Sequence, residues 1–208
     1  MMFCSIVGHA IFQTARWSGP STMLRSKVFK PQNYIFVNLV SSSMRYIMKQ
    51  KIFALGDDFI IRNEAGEDCF FVDGKVFTIG AKLSFQDMNG HELAFIKQKL
   101  LNWGPTYEIY RDDTLVAVVK KKLFTFFHCQ FTVDVPGPDD LMAEGNFTDH
   151  EYTFTRESGV AATVSKQWFA WSDTYGVDVR DGQDDILILA STVVIDMACH
   201  QKHDNSLL

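Results

Sequence analysis

The sequence predicts a mainly β protein, a barrel of short antiparallel strands closed around one hydrophobic C-terminal helix. Turn-forming residues recur about every eight to twelve positions along most of the chain, the rhythm of a sandwich or barrel. No strand–helix–strand alternation appears, which argues against a parallel α/β sheet. Near the C-terminus the rhythm gives way to one stretch, residues 186–200, that is apolar on nearly every side. Such a helix has to be buried, and in a protein otherwise built of strands the lumen of a barrel is where it fits.

The strands read in order. The first covers residues 45–52 and is followed by the turn Leu55-Gly56-Asp57-Asp58. Residues 59–62 and 69–72 flank Asn63-Glu64-Ala65-Gly66, a hairpin signature. Asp73-Gly74 leads into 76–85, and Met88-Asn89-Gly90 into 92–101. These Asp-Gly and Asn-Gly pairs supply the positive φ that tight hairpins demand. Further strands fall at 106–110, 115–121, 126–133, 149–156, 161–169 and 175–179.

Asp184 and Asp185 open the helix, as N-cap and first-turn residues whose charge meets the positive end of the helix dipole. Its apolar stretch of about 14 residues falls short of the about 20 that a membrane-spanning helix needs. A carboxylate inside a lumen must be paired or protonated, so Asp196 requires a partner such as a Tyr, a Lys or a backbone N–H.

With 208 residues the chain suffices for one domain and barely for two small ones. Its 47% hydrophobic and 22% charged residues exclude global disorder, and 18 phenylalanines imply an aromatic core. The net charge of −5 conceals a seam: the first 56 residues carry seven basic residues and no acid. The remainder holds 13 basic residues and all 25 acids, a net of −12. Arg45, Lys49 and Lys51 belong to the first strand, so residues 1–43 keep only four positive charges. That is too few for a nucleic-acid-binding arm. Residues 1–43 read as a poorly ordered extension, acid-poor like a transit peptide or without any targeting role, and 44–203 as the barrel domain. Cys4, Cys69, Cys129 and Cys199 stand far apart, with no zinc-ribbon or thioredoxin spacing. Four thiols are too sparse for a disulfide scaffold, which points to a reducing, cytoplasmic setting.

Several strings carry a family resemblance: Met48-Lys49-Gln50-Lys51, Tyr107-Glu108-Ile109-Tyr110-Arg111, residues 131–140 (FTVDVPGPDD), residues 164–177 (VSKQWFAWSDTYGV) and residues 184–200. Together these resemble the LURP-one-related family over about residues 44–202. The resemblance implies a tubby-like barrel of twelve strands enclosing the helix, the architecture of tubby domains and phospholipid scramblases. It does not imply an activity, because a fold by itself does not confer one.

Candidate sites follow. Lys97 and Lys99 share one face of a strand, and Lys120 and Lys122 share a face of another; two basic stripes on neighbouring strands are the candidate ligand-binding site for an inositol lipid or other anionic phosphate group, as the resemblance to tubby domains, which bind one through surface basic residues, implies. The competing reading is a solvated strand face kept soluble by lysine. With the lumen occupied by the helix, any ligand sits on the outer wall or a rim. The pairs Asp57-Asp58, Asp112-Asp113, Asp139-Asp140 and Asp184-Asp185 fall at turns, where aspartate is favoured locally; Asp139-Asp140 is the best of them for a ligand. Neighbours on a strand point to opposite faces, so His128 cannot activate Cys129, whereas His150 could act as a base with Asp134 or Asp173. Trp168, Phe169, Trp171 and Tyr175 read as core packing. No P-loop, G-x-S-x-G, H-E-x-x-H or G-x-G-x-x-G is present, and no cofactor, metal or catalytic residue is assigned. The sequence is read as a non-enzymatic, monomeric binding module, with a protein-interaction scaffold and a metal-dependent enzyme as alternatives.

Overall fold

The computed structural model describes residues 43–49, 59–74, 80–100, 102, 104–122, 130–168 and 174–200. The chain divides into two compact units, Met1–Leu39 and Val40–Leu208, and every described residue belongs to the second. The expectation of a poorly ordered 1–43 therefore lies, Ser43 apart, outside the described residues.

Alternating apolar residues and tight turns produce twelve strands among the described residues: β1 (Ser43–Lys49), β2 (Phe59–Asn63), β3 (Asp68–Gly74), β4 (Lys82–Asp87), β5 (Glu92–Gln98), β6 (Thr106–Arg111), β7 (Thr114–Lys122), β8 (Gln130–Asp134), β9 (Leu141–Asn146), β10 (Glu151–Arg156), β11 (Gly159–Ser165) and β12 (Thr174–Arg180). Each pairs antiparallel with its neighbours in sequence, and β1 pairs with β12 from Ser43↔Arg180 to Lys49↔Thr174, closing the barrel. One helix, α1 (Asp185–His200), follows. Because every strand reverses the one before, the barrel has two ends. The β2–β3, β4–β5, β6–β7, β8–β9, β10–β11 and β12–α1 connections define an upper end, where α1 begins. The remaining connections define the lower end, toward which α1 runs.

Period-two alternation sends Tyr107 and Ile109 of β6, Ala117 and Val119 of β7, and Phe131 and Val133 of β8 inward, all at most 1% exposed. The alanines Ala94, Ala117, Ala143 and Ala162 place small side chains on the inner wall and leave width for the helix. In α1, residues 187–197 are all buried, including Ser191, Thr192 and Asp196. The Thr192 hydroxyl is satisfied within the helix, donating to the Ile188 carbonyl at 2.9 Å.

The upper end of α1 is tied to the wall by two aspartates. Asp184 Oδ1 accepts the Leu187 N–H at 3.1 Å, as an N-cap should, and also binds Arg111 Nη2 of β6 at 2.6 Å. Asp185 Oδ2 accepts the Tyr46 hydroxyl of β1 at 2.5 Å. Burial raises the Asp184 carboxyl, but Arg111 and the Leu187 N–H outweigh that and hold it below the usual carboxylate range.

The reading of strands missed β9. Its sequence, Leu141-Met142-Ala143-Glu144-Gly145-Asn146, mixes strand-poor residue types with a glycine. Gly145 is required there: its φ is +143°, and a Cβ would lie 2.6 Å from the Tyr152 Cα of β10. β4 begins at Lys82, after the non-strand residues 80–81, and β11 ends at Ser165, short of the expected 169; β8 is described from Gln130 on. The turn at 55–58 and residues 123–129, which include His128 and Cys129, lie outside the described residues.

Replacing Asp184 by Ala should lower stability by about 1–2 kcal/mol in urea unfolding at pH 7. A carboxyl held below its ordinary value when folded contributes stability above its unfolded pKa, near 4, and loses it as pH falls through the folded value. The gap between wild type and D184A should therefore narrow below about pH 4.

Candidate functional site

At the lower end, α1 is tied by a buried polar cluster. His150 lies in the β9–β10 connection at φ 54° and is fully buried. Its Nε2 lies 2.7 Å from Asp196 Oδ1. The Tyr175 hydroxyl of β12 donates to Asp196 Oδ2 at 3.0 Å, and its ring stacks on His150 with centroids 4.3 Å apart. Burial first, and the Asp196 charge second, push the Tyr152 and Tyr175 hydroxyls well above the ordinary phenol range. Both Asp196 oxygens are thus partnered, by a Tyr as expected and by a His that was not. Of the two partners the sequence offered His150, Asp134 binds Lys120 instead, and Asp173 lies outside the described residues. Only the fold brings His150 and Asp196 together, 46 residues apart. A His–carboxylate pair can serve as a general base only where substrate reaches it; this one is sealed between helix and wall, so its role is to hold α1.

The four lysines singled out in the sequence all project from the outer wall near the lower end. β6 separates the strands that carry them, so the two stripes are not on neighbouring strands. Lys99 Nζ binds Glu108 Oε1 at 2.8 Å, and Lys120 Nζ binds Asp134 Oδ2 at 2.6 Å. The Glu108 carboxyl is lowered by Lys99 and by the Tyr110 hydroxyl. Lys122 lies opposite Gln130 of β8, whose amide donates to Glu144. Lys97 has a different setting: across the β4–β5 ladder it faces another cation, Lys82, and across β5–β6 it faces Glu108. The sequence reading did not include Lys82, although counting outward from Asn89-Gly90 as a two-residue turn places it opposite Lys97.

These positions belong to a wider segregation. All eight lysines among the described residues, Lys49, Lys82, Lys97, Lys99, Lys120, Lys121, Lys122 and Lys166, sit at or just beyond lower strand ends. All five described arginines lie in the upper halves of their strands, and four are paired with acids: Arg45 with Glu64 and Asp178, Arg62 with Asp68, Arg111 with Asp184, and Arg156 with Asp139. Every upper connection also carries an acid in it or flanking it.

A groove of about 410 Å³ opens at the upper rim of β5 and the β6–β7 hairpin. Phe95 and Tyr110, which face each other across β5–β6, line it with Ala94, Glu92, Asp112 and Asp113, together with Lys97 and Arg111. Asp112 and Asp113 form a two-residue loop with both φ positive, at 45° and 61°, as a type I′ hairpin turn requires. The other acid pairs have local duties where described: Asp139 binds Arg156, and Asp140 Oδ1 accepts the Val135 N–H at 2.9 Å. Among the described residues no group of three or more His, Cys, Asp or Glu side chains is placed to hold a metal ion. Trp168 is not core packing on a strand: it sits in the turn after β11 with Arg45 4.6 Å above its ring. Tyr175 is in the core as read, and residues 169–173 lie outside the described residues.

A closed antiparallel barrel threaded by one apolar helix, with no helix among the described residues long and apolar enough to cross a membrane, defines the structural class. The LURP-one-related family model matches residues 44–196, and the chain belongs to that family. It is 31% identical over 160 residues to the uncharacterised protein YxjI of Bacillus subtilis (strain 168), covering 77% of this chain and 96% of that one. The crystal structure of a protein from Arabidopsis thaliana superposes with a TM-score of 0.55 at 17% identity, over 74% of this chain and 90% of that one.

Removing the lower tie should be costly. Asp196→Ala should lose about 3 kcal/mol in chemical denaturation, because it strands buried partners, and Tyr175→Phe about 1 kcal/mol. Asp196→Asn, which keeps a hydrogen-bonding group of the same shape, should lose less than Asp196→Ala.

Proposed function

We propose that this LURP-one-related barrel is a non-enzymatic binding module whose lysine-bearing lower end engages an anionic phosphate group, from a lipid headgroup or a free phosphate compound. The observation that carries the reading is the outward pair Lys82↔Lys97. Like charges directly opposite on neighbouring strands are destabilising, and a bound dianion turns that repulsion into attraction. Lys99 and Lys120 add to the site by exchange. Their ion pairs are exposed, and such pairs contribute at most about 1 kcal/mol, so a phosphate can displace Glu108 or Asp134 at little loss. Lys122 extends the patch along β7. The filled lumen favours a ligand on the wall, and lysines gathered at one end provide a face that can lie against a negative surface.

The test uses flotation with phosphatidylcholine vesicles containing about 5% phosphoinositide, beside titration with inositol hexakisphosphate and inorganic phosphate. The K82E/K97E variant should bind the charged vesicles at least tenfold more weakly, since each basic residue near an anionic surface contributes about 1 kcal/mol. Loss on vesicles alone assigns the site to lipid; parallel loss on the soluble phosphates assigns it to free phosphate compounds. Equal retention by wild type and variant, or no wild-type binding in any arm, removes the reading.

A further inference from the structure

The opposite end has the complementary character, and we infer that the groove beside the β6–β7 turn is a docking site for a basic segment of a partner protein. Three independent features converge there.

The first is shape and lining. At about 410 Å³ the groove exceeds a single side chain and suits a short stretch of peptide. Its wall includes the cross-strand pair Phe95 and Tyr110 on β5 and β6, and Leu115 of β7 stands opposite Tyr110 beside it. Aromatic faces at a wall of this kind attract a guanidinium or ammonium group.

The second is charge. Glu92, Asp112 and Asp113 line the groove against Lys97 and Arg111, and Arg111 is already held by Asp184 at 2.6 Å. Lys97 stands toward the lower end, so the upper part of the groove is acidic. Among the described residues neither Asp112 nor Asp113 forms an ion pair, which leaves both carboxylates for an incoming cation.

The third is apolar exposure. Two exposed large hydrophobic residues, Met88 and Leu115, lie on the same arc of this end as the groove. Met88 belongs to the β4–β5 turn, and Leu115, 41% exposed, stands directly opposite Tyr110. Apolar residues beside carboxylates and aromatic rings are the composition of a protein-binding patch. An anionic bilayer is disfavoured here by the surrounding acids, and a partner that is both basic and apolar satisfies every group.

The probe is a labelled nonapeptide of alternating arginine and leucine, followed by fluorescence anisotropy at about 50 and 300 mM salt. The D112N/D113G variant keeps a turn sequence suited to positive φ at both positions, so it removes two charges without threatening the fold. Combined with Leu115→Ser it should weaken peptide binding at least tenfold and flatten the salt dependence. A control variant, Glu157→Gln with Asp181→Asn, removes the same charge elsewhere at this end and should change affinity less than twofold. The inference is overturned if the groove and control variants lose affinity equally, if a glutamate–leucine peptide binds as well as the arginine one, or if the wild type ignores the peptide. It is also overturned if the wild type partitions onto neutral phosphatidylcholine vesicles through Leu115 while ignoring the peptide.

Discussion

A helix without a polar face is stable in water only when every side of it is covered, and this requirement organises the whole barrel. Seven large apolar side chains of α1, Leu187, Ile188, Leu189, Val193, Val194, Ile195 and Met197, are buried. At roughly 1.5–3 kcal/mol each, their burial amounts to an upper estimate on the order of 10–20 kcal/mol. The inner wall answers with alanines where the helix needs width and with aromatic residues where it does not. Direction and depth are fixed by carboxylates, which burial makes specific: Asp184 and Asp185 hold the upper end to β6 and β1, and Asp196 holds the lower end to His150 and Tyr175.

With the lumen filled, the recognition proposed for this barrel belongs to its outside. Lipocalin-type barrels bind in the lumen, a space that α1 occupies here. The described part of the outer wall is polarised along the barrel axis, with lysines toward one end and paired arginines among acids toward the other. Lysine suits the first end because it is a mobile point charge that tolerates many anion geometries. Arginine suits the second because its planar fork locks onto carboxylates and fixes loops. The two ends can therefore serve different partners without competing for one surface.

Much of this was legible in the residues. The alternation, the Asn-Gly and Asp-Gly turns, and the helix with no polar face gave the barrel and its plug before any coordinates. Asp184 was readable as a cap because capping is a local effect. What escaped depends on contacts distant in sequence or on weak local signals. β9 hides because Glu144, Gly145 and Asn146 are poor strand formers held by their neighbours. The Asp196–His150 tie joins segments 46 residues apart, and nothing in either segment names the other. The two lysine stripes are not on neighbouring strands, since the strand at 106–110, itself readable from the sequence, lies between them. The groove is invisible in the sequence, since Phe95 and Tyr110 become neighbours only through the β5–β6 register.

Native-state hydrogen exchange of the α1 amides tests the central claim most directly. If the barrel can open only by releasing its helix, the amides of residues 188–195 exchange through global unfolding alone. Their opening free energy then equals the stability measured by denaturant and matches the slowest strand amides. Helix amides that exchange through a smaller opening, while β6, β7 and β12 stay protected, would show that the barrel stands without its plug and would contradict the account.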